Sequence, residues 1–499
     1  MPLKVEGDPG YGSMVGPGLS GSLGGSETLP LLIPSDLEPD LKAWKPMTRE
    51  QLEAAAGGPG WKRFRSRLVL LFWVAWLAML GAAIVVIVQS PRPVATPLHW
   101  WQNKLFYRLQ PVLFLDVNNT ESSAISKVSD RLLYLQSLGV GVMILEGMFM
   151  NKSSPTNLTE NNQQLGTLPQ FHQLITDSNR AGVRVILDLC DLDLSSEPQF
   201  SNETVILAGG SGYVQDSLRY WLERGVSGFE ICETDHTFSE KTLTKWRELV
   251  KEFSTDYNQR IVMVKEISDS SPALNMSKPT VNSSLVDLVL KSLLPQSSSP
   301  LSAAELTEVM ETTLKTLQGE WPSWTVDGRV SCQLQKVLMV LMMTLPGTPV
   351  IRYGDEISQS VNISEYESTK DREHQDPAVK SKRSTWLFHS LIRARFREEA
   401  LLYGTFTFLP FNSSAYTNST ATPPLAFLRS WGCSHFLVLF NLGSETHSLD
   451  PDWAGSLPEE GVYVTSTGLD RAGAVFLHSI KLQPQEAIVI KLFEARSEY

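Results

Sequence analysis

LPGTPVIRYGDEI, residues 345–357, decides how this chain folds: an apolar run of strand type delivers a turn carrying Tyr353, Gly354, Asp355 and Glu356 in succession. Outward from it the same form recurs. From Lys104, strand-like runs at 105–114, 140–145, 183–189, 228–232 and 260–266 alternate with helix-like stretches at 124–137, 168–181, 213–223 and 240–253. Apolar strands separated by amphipathic helices mean βα units around a parallel sheet. The roughly 300 residues of 104–403 suit an eight-stranded barrel. The Ser-rich stretch 275–300 is less regular. After Tyr403 the runs FTFLP, LAFLRSW, HFLVLFNL, GVYVT and EAIVIKL are short, β-rich and bounded by turn residues, which predicts an antiparallel β-sandwich over 404–499. The fold class is α/β with a small all-β appendage.

At 499 residues the chain can hold a large core and a satellite. Residues 68–88 contain no charge. As a helix, this stretch is about 31 Å long, the thickness of a bilayer's hydrocarbon, so a transmembrane span is expected. Lys62, Arg63, Arg65 and Arg67 precede it and only Arg92 follows closely, which predicts a cytoplasmic N-terminus and an extracellular remainder. The sequons at Asn118, Asn151, Asn157, Asn202, Asn275, Asn282, Asn362, Asn412 and Asn418 all follow the span, agreeing with that orientation. A type II single-pass membrane glycoprotein is expected, with a neck over 89–103.

Residues 1–67 hold eleven Gly and eight Pro, a composition that favours a disordered tail. Within it, Thr48 and Gln51 can form a capping box and Gly57–Gly58 a stop, predicting a short juxtamembrane helix. The tail's eight acids and eight bases cancel, so the formal charge of −11 lies beyond the span. That excludes nucleic acid as a partner. Cys190, Cys232, Cys332 and Cys433 are too few for a disulfide scaffold, and none has metal-site spacing. An oxidising compartment leaves a Cys190–Cys232 bridge open, beside the reading of Cys232 as a small buried hydrophobe. No metal or cofactor is expected.

From Lys104 to the C-terminus the motifs resemble the α-amylase family. FYRL at Phe106 looks like its first strand and LGVGVMIL at Leu138 like its second. RVILDLCDLD at Arg184 resembles the third, keeping Asp188, while Leu192 and Asp193 replace the family's Asn and His. GFEIC, Gly228–Cys232, resembles the fourth, where the family carries Gly-Phe-Arg-x-Asp: Glu230 stands at the Arg and Cys232 at the nucleophilic Asp, with His236 matching. MVKEI places Glu266 at the general acid, and WTVDGR places Asp327 at the third carboxylate. Retaining glycosidases need a pair of carboxylates about 5 Å apart. The resemblance therefore implies a barrel without its nucleophile, with Cys232, Glu266, Asp327 and His236 as vestigial positions. The connection after the third strand is also too short for the substrate-gripping domain that active relatives insert there.

REQLEAAAGGPGW before the span, LLFWVAWLAMLGAAIVVIV within it, PLHWW after it and TLPGTPVIRYGDEI in the barrel resemble the heavy chains of heteromeric amino-acid transporters, of the 4F2 cell-surface-antigen type. That implies a non-catalytic subunit which brings a multi-spanning light chain to the plasma membrane and stabilises it there. One helix cannot enclose a pathway, so this chain cannot transport by itself. Trp73, Trp76 and Gly81, with Trp61, Phe72 and Ala82 around them, are candidate light-chain contacts in or beside the span, as are Trp100 and Trp101 in the neck. Lipid contact is the alternative for the tryptophans. The family links its chains through a Cys just outside the membrane. Here Pro93 occupies the matching place, so the partnership is expected to be non-covalent. Two other readings stay open, a membrane-tethered glycosidase working through Glu266 and an adhesion or signalling glycoprotein.

Overall fold

The computed structural model describes residues 47–89, 95–115, 123–149, 162–190, 192, 210–232, 240–256, 258–266, 285–294, 303–316, 321–328, 330–357, 377–409, 424–448 and 457–493. The chain divides into two units, Met1–Pro91 and Arg92–Tyr499. In the first, α1 (Arg49–Ala56) starts at Thr48, whose N–H donates to Gln51 Oε1 at 3.4 Å, and ends at Gly57, as expected. Helix α2 (Pro59–Gln89) opens on a proline, whose missing N–H costs nothing at a first helical position. Its stretch Gly60–Val86 is long and apolar enough to cross a membrane.

The second unit begins with a closed, all-parallel barrel. In chain order its elements are β1 (Leu105–Leu109), α3 (Ala124–Asp130), α4 (Leu132–Ser137), β2 (Val140–Leu145), α5 (Leu168–Arg180), β3 (Arg184–Asp188), α6 (Gly210–Glu223), β4 (Gly228–Cys232), α7 (Glu240–Glu252), β5 (Ile261–Lys265), β6 (Leu288–Ser292), α8 (Ala303–Thr316), β7 (Pro322–Thr325), α9 (Cys332–Thr344) and β8 (Thr348–Arg352). The expected first strand is shorter than its apolar run, because Pro111 cannot donate to a ladder and instead starts a 3₁₀ turn, Pro111–Phe114. The expected helix 124–137 is two, parted at Arg131, where ψ is −2°. The irregular Ser-rich stretch contains β6.

Strand parity assigns the faces. Phe106, Val142, Ile144, Ile186, Met263, Leu290 and Val350 fill the barrel, with Trp101 among them. Their neighbours Tyr107, Met143, Val185, Phe229, Val262 and Val264 point out to the helices. Alternation carries straight on to the strand ends, so Arg108, Asp188, Glu230, Cys232 and Lys265 share the inward face at the mouth. Gly228 lets β4 approach β5: a Cβ there would lie 2.3 Å from the Ile261 carbonyl oxygen.

Helices α10 (Pro377–Arg397) and α11 (Glu399–Leu402) lead to the antiparallel part: β9 (Thr405–Leu409), β10 (Leu425–Trp431), β11 (Ser434–Asn441), β12 (His447–Ser448), β13 (Glu460–Ser466), β14 (Ala474–Phe476), β15 (Lys481–Leu482) and β16 (Glu486–Phe493). Six strands form one sheet in the order β14-β13-β16-β11-β10-β9, and β12 with β15 form a second. Two buried guanidiniums fasten this region to the barrel. Arg395 donates to the carbonyls of Met343, Leu345 and Gly347, and Arg429 to those of Thr344 and Gly404. These carbonyls include the orphans at the end of α9, where a cation also complements the helix dipole. Burial pushes Arg395 down to about 10 and Arg429 to about 9, so both stay charged at neutral pH.

Candidate functional site at the barrel mouth

Arg108, in the FYRL strand, organises the mouth. Its Nη1 lies 2.5 Å from Glu146 Oε1 and 3.7 Å from Asp188 Oδ2, and its Nη2 lies 2.5 Å from Glu230 Oε1. Gln110 adds a bond to the other Glu146 oxygen at 2.7 Å. Arg108 is 3% exposed and Glu230 wholly buried. Burial opposes the charge on Arg108, but Glu230, Glu146 and Asp188 outweigh it and hold the guanidinium above its ordinary value. Burial likewise opposes the charge on Glu146, and Arg108 overcomes it, pulling that carboxyl down. Asp188 goes the other way. Burial and the Glu230 charge push it up to about 7, against the pull of Arg108 and the Cys190 N–H at 2.8 Å.

The sequence reading took Glu230 as the loss of a cation from the site. The structure corrects this: a cation is present, supplied by β1 instead of β4, and Glu230 is its partner. Cys232 needs a correction too. It is bonded to Cys190 with Cα atoms 4.8 Å apart, so it is neither a thiol nor a simple buried hydrophobe. Adjacent parallel strands bring the two together. On the loop-closure model this link, spanning 42 positions, removes about 4 kcal/mol of unfolded-chain entropy.

Glu266 does not join the cluster. The residue that continues the inward row Ile261, Met263 is Lys265, level with Cys232 on β4, and it pairs with Asp327 Oδ2 at 3.3 Å. Glu266 pairs with Lys291 at 2.9 Å, beside Leu290, which points into the barrel. Lys291 thus has the outward parity, and Glu266 sits with it. Asp327, brought to the mouth, faces an ammonium group. His236, Asp193, Pro93 and all nine sequon asparagines lie outside the described residues, as does most of the connection after β3.

The Tyr-Gly-Asp-Glu turn is spent on structure. Glu356 Oε1 accepts from Tyr107 at 3.0 Å and Tyr134 at 3.3 Å, and its Oε2 accepts from the Gly354 N–H at 3.0 Å. Asp355 accepts from Gln335 on α9 at 2.6 Å and from the Arg352 N–H at 3.0 Å. Burial raises both carboxyls, and burial with the Glu356 charge pushes Tyr134 up to about 12. The motif ties β1, α4, β8 and α9 together. Among the described residues, no group of three or more His, Cys, Asp or Glu could hold a metal ion.

Of the expected partner contacts, Trp73 and Trp76 are exposed on α2, and a Cβ at Gly81 would meet nothing within 4 Å. The neck tryptophans are engaged by the chain itself. Trp101 is 6% exposed in the barrel floor, and its carbonyl accepts from Thr348 Oγ1 at 3.1 Å. Trp100 donates to the Gln259 carbonyl at 3.0 Å and lies under the Arg184 guanidinium.

A closed parallel barrel with an antiparallel C-terminal sheet is the architecture of the α-amylase type. The α-amylase of Geobacillus thermoleovorans, solved with acarbose, superposes with a TM-score of 0.55 at 16% identity, covering 80% of this chain and all of that one. Such a likeness shows the fold alone. Sequence similarity narrows the class. Residues 35–107 match the family model described as "Solute carrier family 3 member 2 N-terminus". The chain is 28% identical to the amino acid transporter heavy chain SLC3A2 of Oryctolagus cuniculus over 89% of its own length and 87% of that protein's. With the SLC3A2 of Rattus norvegicus it shares 25% identity, over 89% and 88%. The chain is a relative of the amino acid transporter heavy chains of this type.

Proposed function

We propose that this protein is the non-catalytic heavy subunit of an amino-acid transporter: a type II, single-pass glycoprotein of the plasma membrane that carries a multi-spanning light chain to the surface and stabilises it there. The observation that carries the reading is similarity to amino acid transporter heavy chains along 89% of the chain. The mouth geometry supports it. Glu266 is paired outside the inward row, Cys232 is closed in a disulfide, and Arg108 and Lys265 are matched to acids, so among the described residues no carboxylate pair stands ready for glycosidic chemistry.

The proposed partnership runs through α2, where Trp73, Trp76 and Gly81 offer aromatic and small-residue surface. It is non-covalent, since Pro93 stands where the linking Cys of such heavy chains falls. Packing of two chains already confined to one membrane replaces the tether. Co-expression with individual light chains tests this. Surface delivery and amino-acid uptake rise with the right one, and a non-reducing gel shows separate chains. Absence of any rise with every light chain would refute the reading, and a reducible heterodimer band would refute the non-covalent linkage.

A further inference from the structure

At the end of the barrel where the strands begin, Trp100 borders a cavity of about 560 Å³ whose lining includes Lys104, Gly182, Arg184, Asn258 and Arg260. Three of these are cations, arriving from separate places: Lys104 just before β1, Arg184 at the head of β3 and Arg260 just before β5. No Asp or Glu belongs to the described lining. Two other cations of the barrel strands and helices are matched by acids. Arg108 has three carboxylates, and Arg247 has Asp287.

Here the partners are neutral. Arg184 stacks 4.2 Å from the Trp100 ring centroid and donates to Asn258 Oδ1 at 2.5 Å. Among the described residues, the Arg260 guanidinium reaches only Ser227 Oγ, at 3.4 Å, and its buried Nε has no acceptor. Burial lowers both guanidiniums, and the Arg184 charge lowers Arg260 further. Lys104 lays its stem along Gly141, where a Cβ would meet its Cδ at 2.6 Å, and among the described residues it makes no hydrogen bond or ion pair. The cavity therefore has built-in donors and uncompensated positive charge in a half-enclosed space.

We propose that this floor cavity binds a doubly charged oxyanion, a phosphate or sulfate group, through Lys104, Arg184 and Arg260. A single carboxylate would neutralise one cation of three, whereas a tetrahedral dianion offers acceptor oxygens in several directions and suits guanidinium forks. Gly182 leaves room beside it: with φ at +76°, a Cβ there would meet nothing within 4 Å. The group can come free in solution or on a lipid headgroup.

The test uses the full-length protein in detergent, titrated calorimetrically with inorganic phosphate and with sulfate at constant ionic strength. Saturable binding is expected, with Lys104→Gln weakening it roughly tenfold or more, as loss of a charge-assisted contact does. Lys104 makes no hydrogen bond or ion pair among the described residues and Gln keeps the part of the stem that lies along Gly141, so this variant keeps the fold even where Arg260→Gln does not. Lys315→Gln, whose side chain is exposed on α8, leaves the affinity unchanged. Nanodiscs with and without phosphatidic acid then separate the sources. Displacement of phosphate by the lipid assigns a headgroup, and its absence assigns a free anion; either supports the oxyanion site. No saturable heat beyond that of sodium chloride, or unchanged affinity in Lys104→Gln, overturns it.

Discussion

Replacing Arg108 by Met strands the Glu146, Asp188 and Glu230 carboxylates around an apolar side chain. Glu230 is wholly buried, and among the described residues its Oε2 has no hydrogen-bond partner, so bulk solvent does not reach it to replace the guanidinium. Removing one partner from a buried ion pair costs about 3–5 kcal/mol, mostly as the penalty of the charge left behind. The unit Arg92–Tyr499, at about 2.1 cal/mol/K per residue, has an unfolding entropy of roughly 0.85 kcal/mol/K, so the expected fall in Tm is about 4–6 °C. The double variant Arg108→Met/Glu230→Gln should recover more than half of that loss, because it removes the most deeply buried stranded charge.

The pH dependence has a definite sign. Asp188 is held at about 7 in the folded protein against 3.8 normally, so the folded state retains a proton that the unfolded chain releases. Its favourable contribution is complete below pH 3.8 and is lost as pH rises through about 7. Without Arg108, Asp188 and Glu146 lose the cation that pulls them down and both shift up, so the gap between variant and parent should widen across that window. Thermal and urea unfolding of the full-length protein, followed by tryptophan fluorescence from pH 4 to 8, measures all three effects. A single variant within about 1 kcal/mol of the parent, or a double no better than the single, would refute the reasoning.

Reduction, or Cys232→Ser with Cys190→Ser, should destabilise the unit Arg92–Tyr499 by about 4 kcal/mol or less; an unchanged unfolding midpoint in dithiothreitol would show that the link carries no stability. Glu356→Gln, which turns one acceptor toward its donors into a donor, should cost about 1–3 kcal/mol in urea unfolding, and a neutral result would mean that the Tyr107 and Tyr134 bonds are dispensable. Purified protein assayed on maltose and aryl α-glucosides should show no turnover. Hydrolysis that vanishes in Glu266→Gln would overturn the non-catalytic reading.

The barrel was legible because strands covered by helices outside and packed side chains inside read as continuous apolar runs, and GFEIC and VGVMIL have no other stable home. The mouth was legible only in part. FYRL and GFEIC each place one charge in an otherwise apolar strand, and an inward Arg with an inward Glu of opposite sign was a signal that could have been read. Their separation of 122 positions hid it, since no local spacing connects β1 to β4. Glu266 stands one residue past the last inward position of β5 and pairs with Lys291. In a strand one step exchanges the faces, so Lys265 holds the place that motif matching gave to its neighbour. The neck tryptophans look like free aromatic surface in sequence because nothing in PLHWW announces that Thr348, 247 positions away from Trp101, receives it.

On the proposed non-catalytic reading, the charge arrangement at the mouth explains how such a barrel persists without its chemistry. An electrostatic active site works by holding dipoles and charges aimed at a substrate that is not yet there, which leaves them under-satisfied in the resting protein. Here the groups answer one another. The cation that a fourth strand would have pointed at its own carboxylate comes from the first strand, where it binds Glu146 and Glu230 together, and Lys265 answers Asp327. The position of a nucleophile is occupied by half of a crosslink. Each exchange gives a charged or reactive group a partner within the chain and ties together neighbouring parts of the barrel mouth. On the proposed reading, selection on this ectodomain acts on its endurance and its surfaces, and those are what a subunit that accompanies another protein needs.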